Sequence, residues 1–202
     1  MRNKMLLTLG LVAVIALGTY LFADNINKKE AGHASDSGNA GTHSLSAGAG
    51  ATSGELDLQS IKQLVHGFSM RSISAESASI TSTQLIVKED DSVSTTYELP
   101  EDEFFMSIAP YISKTHPCGI HSLTGCQGEM VEEEFYVTVE DAEGKPVLDQ
   151  QAMKSQPNGF IDLWLPRDQT YHITVEHERG TAEAAISTFI NDNTCITTMQ
   201  LR

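Results

Sequence analysis

The chain has 202 residues, with 13 Lys and Arg against 27 Asp and Glu and a formal charge of −14. That acidity excludes nucleic acid as a partner, because phosphate binding needs a basic patch. Its 3 cysteines are an odd number, so complete internal pairing is excluded and at least one thiol is left for a metal, a partner or a reaction.

At the N-terminus, Arg2 and Lys4 precede an uncharged apolar run from Met5 to Ala23. Residues 1–23 therefore read as a secretory signal peptide, or as a membrane anchor where the segment stays uncleaved. No cysteine follows the run directly, which excludes a bacterial lipid-modified anchor, and either reading exports the rest of the chain. Residues 24–54 are dominated by Gly, Ala, Ser and Asn without aliphatic periodicity. No face exists there to bury, and a flexible, disordered linker is expected. His33 and His43 stand isolated in it and read as non-binding.

The remainder, 55–202, has the size of a single folded unit. It divides into an N-terminal α/β region, 55–115, and a Cys-rich loop with a C-terminal β-sandwich, 116–202. Leu58, Ile61, Val65 and Phe68 form one helical stripe, with Asp57 as N-cap and Gly67 as stop. A Ser-rich stretch follows, then TQLIVK and VSTTYEL around EDDS predict a hairpin over 82–99. FFMSIAPY predicts another extended segment, limited by Pro110. Past Glu134 the pattern becomes one of short strands. EFYVTVED and PVLDQQAM flank the turn AEGK, QPNG signals a hairpin before FIDLWLP, YHITVEH and TAEAAISTF flank ERG, and CITTMQL alternates last. The fold class is α+β: an N-terminal helix and β-hairpin region followed by a small antiparallel β-sandwich. Acidic runs at 89–91 and 132–134 read as solvated turns and strand edges.

Between the two regions lies HPCGIHSLTGCQGEM, residues 116–130, with neither helical nor strand periodicity. Cys118, His121 and Cys126 give C-x2-H-x4-C, a spacing that lets one short loop bend several donors round an ion. Cys195 begins the last predicted strand and would bring a third sulfur alongside. Soft thiolates select Cu(I) or Zn over Mg, Ca or Mn. A Cys118–Cys126 disulfide, which export favours, a metal site and a thiol oxidoreductase all stay open on spacing alone. His116 points into the same loop as an outer or alternate ligand, or as a plain exposed imidazole. His172 and His177 differ in parity on one strand and face opposite sides. Met199 shares the expected face of Cys195 and Thr197 but reads as core, as do Phe160 and Trp164.

THPCGIHSLTGCQGEMV, NGFIDLWLPRD and TCITTMQL together closely resemble the CueP family of exported bacterial copper-resistance proteins, over essentially all of 55–202. The resemblance implies an extracytoplasmic location and copper bound at Cys118, His121, Cys126 and Cys195. It further implies reduction of Cu(II) to Cu(I), supply of copper to an exported cuproenzyme such as a Cu,Zn superoxide dismutase, and dimerisation through the N-terminal half. A cysteine pair that becomes a disulfide gives up two electrons, enough for two Cu(II) ions. Cys118 and Cys126 are the expected redox pair because they share a loop, with Cys195 retained as a ligand; pairing of Cys195 with either stays open. Renewed turnover needs an external thiol reductant. A thiol–disulfide oxidoreductase and a structural zinc site are the alternatives. No C-x-x-C at a helix start, the usual way of lowering a thiol pKa, is present.

Overall fold

The computed structural model describes residues 50–54, 56–90 and 93–202. The expected signal or anchor, His33, His43 and most of the expected linker lie outside the described residues. Among those described, no helix is long and apolar enough to cross a membrane. The described residues are mostly β-sheet with one short helix.

Strand β1 (Gly50–Gly54) is followed by helix α1 (Leu58–Ser69), then β2 (Ser77–Ile80), β3 (Gln84–Asp90), β4 (Val93–Glu98), β5 (Glu103–Ile108) and β6 (His121–Ser122). The chain continues through β7 (Glu134–Glu140), β8 (Pro146–Lys154), β9 (Ile161–Pro166), β10 (Thr170–His177), β11 (Gly180–Ser187) and β12 (Cys195–Ile196). Three sheets result, ordered β1-β4-β3-β2-β6, β11-β10-β7-β8 and β12-β5-β9.

Helix α1 begins where Asp57 caps it, its side chain accepting from the Ser60 N–H at 2.8 Å, which satisfies one of the otherwise orphaned N-terminal donors. Ile61, Val65 and Phe68 are buried against Ala78, Ile80, Leu85 and Val87 of β2 and β3. Gly67 does not stop the helix, which runs on to Ser69. Its bare Cα instead makes room for Ile73, whose Cδ1 would lie 2.9 Å from an added Cβ.

Sheet β12-β5-β9 lies between two cores. Phe104, Met106 and Ile108 of β5, with Ile161, Leu163 and Leu165 of β9, pack on Phe135, Val137, Val139, Tyr171, Ile173 and Val175 of β7 and β10. On the opposite face, Phe105 and Trp164 join the α1 core. With both faces covered, β5 reads as a nearly continuous apolar run, whereas β7 and β10 alternate because one of their faces meets solvent. Polar groups inside this layer are paired: Asp162 accepts from Ser69 Oγ at 2.7 Å and from Ser107 Oγ at 2.6 Å. The regions 55–115 and 116–202 thus interleave, since β5 pairs with β9 and β12.

Four details depart from the sequence reading. The end of the expected linker, 50–54, runs as β1, parallel to β4; a backbone ladder needs no apolar side chains. Strand β2 occupies part of the Ser-rich stretch, its alternation carried by Ala78 and Ile80 alone. QPNG is a tight turn, with Gly159 N–H donating to Gln156 O at 2.7 Å and Gly159 at φ 80°, but it joins β8 and β9, which belong to different sheets. The turn chemistry was legible; the partners of its strands were set by tertiary packing. Finally, regular pairing in the last segment covers only Cys195 and Ile196, and Met199 lies in the sandwich core while Cys195 faces Phe160. Met199 therefore does not share a face with Cys195, because the alternation is lost between them.

Candidate metal centre

The loop 116–130 owes its shape to backbone pairing. In β6, His121 lies opposite Ile80 and Ser122 opposite Ser79. Leu123 N–H donates to Ala78 O at 2.8 Å, and Ala78 N–H donates to Thr124 Oγ1 at 3.1 Å. Cys126 N–H closes a turn onto Ser122 O at 2.9 Å. Gly128 N–H donates to Asn158 O at 2.7 Å, and the approach is so close that a Cβ on Gly128 would come within 2.3 Å of Gly159 O. Two glycines are required at this crossing of two backbones. At the end of the loop, Glu129 Oε2 accepts the N–H groups of Ile112, Ser113 and Lys114, which precede the cysteines, at 2.8, 2.9 and 3.0 Å. These donors, Lys114 first, hold its carboxyl below the usual carboxylate range.

Cys195 arrives from the far end of the sequence. Its strand pairs with β5 in parallel, Cys195 opposite Ser107, while its N–H and that of Thr194 both donate to Gly119 O, at 3.1 and 2.9 Å. Buried Thr194 ties the two segments together. Its hydroxyl donates to Ile80 O at 2.6 Å and accepts the His121 N–H at 3.0 Å.

The outcome is a cluster in which one donor atom each from His116, Cys118, Cys126 and Cys195 all lie within 4.8 Å of one another. The Cys118 and Cys126 sulfurs are 3.5 Å apart, and all three cysteines are free thiols. Cys126 and Cys195 are buried on Phe160 and Ala109, with Cys118 partly buried at the edge. Water is kept from the two inner sulfurs, and Cys118 is the most exposed of the three.

His121 lies beside this cluster and outside the four-atom group. It is fully buried at 0% exposure, its ring 4.6 Å from that of Phe160 and 6.2 Å from Phe105. Neither of its ring nitrogens has a hydrogen-bond partner, and His116 Nε2 is buried without one as well. Unpaired buried imidazole nitrogens are costly, and a soft cation at the sulfurs would take up the lone pair of such a nitrogen. Three thiols and imidazole are a donor set suited to Cu(I) or Zn.

The thiols are electrostatically unequal. A hydrogen bond from Cys195 lowers the Cys126 pKa well below the ordinary thiol range, against the opposing effect of burial. The nearby His121 and His116 rings, which lie too far off for formed hydrogen bonds to it, and the Ser122 backbone favour the thiolate further. Cys195, donor in that pair and deeply buried, is pushed up; burial raises Cys118. Cys126 is thus the sulfur poised as thiolate.

The remaining sequence candidates fall elsewhere. His172 is exposed, 3.7 Å from Glu183, and His177 packs on Phe135 with Glu133 at 3.7 Å. Trp164 packs at the edge of the α1 core under Lys62 Nζ, 5.2 Å from its ring centroid. Phe160 is the apolar floor under the sulfurs, a role its sequence context in NGFIDLWLP did not signal.

A family model described as periplasmic copper-binding protein CueP matches residues 59–200. Among solved structures, the crystal structure of S.CueP is similar, with a TM-score of 0.65 and 41% sequence identity, covering 70% of this chain and 88% of that one. None of the curated proteins matches. With that family match running from α1 past the last sulfur, the chain belongs to the CueP family of periplasmic copper-binding proteins.

Proposed function

We propose that the chain acts outside the cytoplasm, binds copper through its three cysteines and an imidazole, reduces Cu(II) to Cu(I), and passes the metal to an exported cuproenzyme such as a Cu,Zn superoxide dismutase. The observation that carries the reading is the convergence of three thiol sulfurs and a histidine nitrogen within 4.8 Å on an apolar floor.

In the reductive step Cys118 and Cys126 each give one electron to one Cu(II), their sulfurs join, and two Cu(I) result. Their separation of 3.5 Å must close to about 2.05 Å for the bond. Two protons leave if both start as thiols, and fewer if Cys126 starts as the thiolate its low pKa favours. Cys195 stays reduced and holds Cu(I) with an imidazole, from His121 or from His116. An external thiol donor restores the pair for another cycle.

Zinc is the second reading, because three cysteines and one histidine also make a tetrahedral zinc set. A purely structural zinc role is weakened by the loop's own anchoring to β2, Asn158 and Thr194.

The test is an anaerobic titration of the fully reduced chain with Cu(II) in the presence of a Cu(I)-specific chelator. Two Cu(I) should appear for each disulfide formed, with one thiol left, since the couple carries two electrons. An unchanged thiol count with no Cu(I) overturns the proposal.

A further inference from the structure

Arg71 lies at the position after helix α1 where the chain turns left-handed, with φ 56°. Its N–H donates to Phe68 O at 2.9 Å, and the following Ser72 N–H reaches Gly67 O at 3.0 Å. This is the helix-ending arrangement in which glycine is customary, because a side chain strains the left-handed backbone. Here the position carries one of the longest side chains, and the exposed arginine spends it on the cysteine loop. Nη1 donates to Thr124 O at 2.9 Å, while Nη2 donates to Cys126 O at 3.2 Å and to Gln127 Oε1 at 3.3 Å. The guanidinium thus spans two carbonyls two residues apart, on either side of the exposed Gly125.

The other anchors around Cys126 are backbone pairings or hydroxyl contacts at Leu123, Thr124, Gly125 and Gly128, a Gln127 Nε2 bond to Pro157 O at 3.5 Å and the Glu129 carboxylate. Cys126 itself makes only the local turn to Ser122 and the bond to Arg71 through its main chain. Its carbonyl is drawn towards Arg71 while its sulfur joins the buried cluster. An arginine fork fixes two acceptors at once with a planar geometry that an ammonium cannot copy.

We propose that Arg71 is a positioning residue for the copper centre: by clamping the Thr124 and Cys126 carbonyls it holds the Cys126 sulfur towards Cys118 and Cys195. The inference rests on the copper reading above. It also makes the C-terminal end of α1 part of the site, although no α1 residue supplies a ligand.

The experiment uses the full chain with Arg71→Gly and Arg71→Lys. Glycine relieves the left-handed backbone, so helix termination is kept while the clamp is lost; lysine keeps the charge without the fork. Two constants are read in folded protein, checked by circular dichroism and thermal unfolding. One is Cu(I) affinity by chelator competition. The other, free of metal, is the equilibrium between the Cys118–Cys126 disulfide and the reduced pair in a glutathione buffer, with the disulfide mapped by mass spectrometry. Loss of a charged two-point clamp should lower both by about tenfold in R71G, with R71K recovering only part. A folded R71G with both constants unchanged overturns the proposal, and so does full recovery by lysine. Should R71G fail to fold, R71K decides alone: wild-type constants overturn the clamp, and a loss in both supports it. Absence of copper binding in the wild type would count against the copper reading, while the glutathione equilibrium would still decide the role of Arg71.

Discussion

The sandwich core and the sulfur site share the sheet β12-β5-β9 and are built by opposite means. In the core, β7 and β10 meet β5 and β9 through alternate aliphatic and aromatic side chains, and many interchangeable contacts share the work. At the site, a loop without periodicity is placed by a few specific bonds: Thr194 to Ile80, Gly128 to Asn158, Glu129 to three backbone N–H groups. The core is redundant and tolerant in chemistry; the site is sparse and exacting in geometry. Losing one contact in the first costs stability, and losing one in the second costs function.

The comparison is tested most sharply by Cys195→Ser. Removing the sulfur that the last strand supplies should lower Cu(I) affinity by more than the roughly 10–100-fold typical of losing an outer partner of a metal site. Stability should fall by no more than about 1–3 kcal/mol, the cost of burying a poorly paired hydroxyl. Chelator competition and thermal unfolding read the two effects separately, and a large loss of stability without loss of affinity would break the contrast. Phe104→Ala is the converse. It should cost about 3–5 kcal/mol in denaturant unfolding while leaving Cu(I) affinity per folded molecule unchanged. Gly128→Ala lies between them. Its Cβ would meet Gly159 O at 2.3 Å, so the crossing must open. A loss of about 1–3 kcal/mol is expected together with weakened copper binding, and wild-type values for both would show the crossing to be soft.

The smallest effect concerns Glu129. Its pKa is depressed in the folded state, so its contribution is present above the unfolded carboxyl value and is lost as pH falls through the folded one. Glu129→Gln should therefore lower the melting temperature slightly near neutrality and leave it almost unchanged at acid pH, which flattens the acid-side decline. An unaltered acid limb would show that the three N–H bonds contribute nothing measurable.

The two regions also differ in what their residues disclose. The α1 stripe, the Asp57 cap and the alternation in β7, β10 and β11 are readable because burial imposes a period on the residues themselves. The same holds for the hairpin of β3 and β4. Which sheet a strand joins leaves no such mark: nothing in QPNG separates a hairpin from a change of sheet, and nothing around Ile196 announces the break that sends Met199 into the sandwich. At the site, residue types and spacing marked Cys118, Cys126, Cys195 and the two histidines. Their relative placement was hidden, so His116 entered the close group while His121 came to lie beside it. The contributions of Arg71, Thr194 and Glu129 are carried by backbone partners, which leave no trace in spacing.

The parallel pairing of β12 with β5 bears on how the donor set is completed. Two of the sulfurs are neighbours on one loop, whereas the third is brought in by a pairing between segments far apart in the chain, Cys195 opposite Ser107. Completeness of the donor set is therefore tied to a long-range contact, and a change that loosens that pairing removes one sulfur while leaving the other two together.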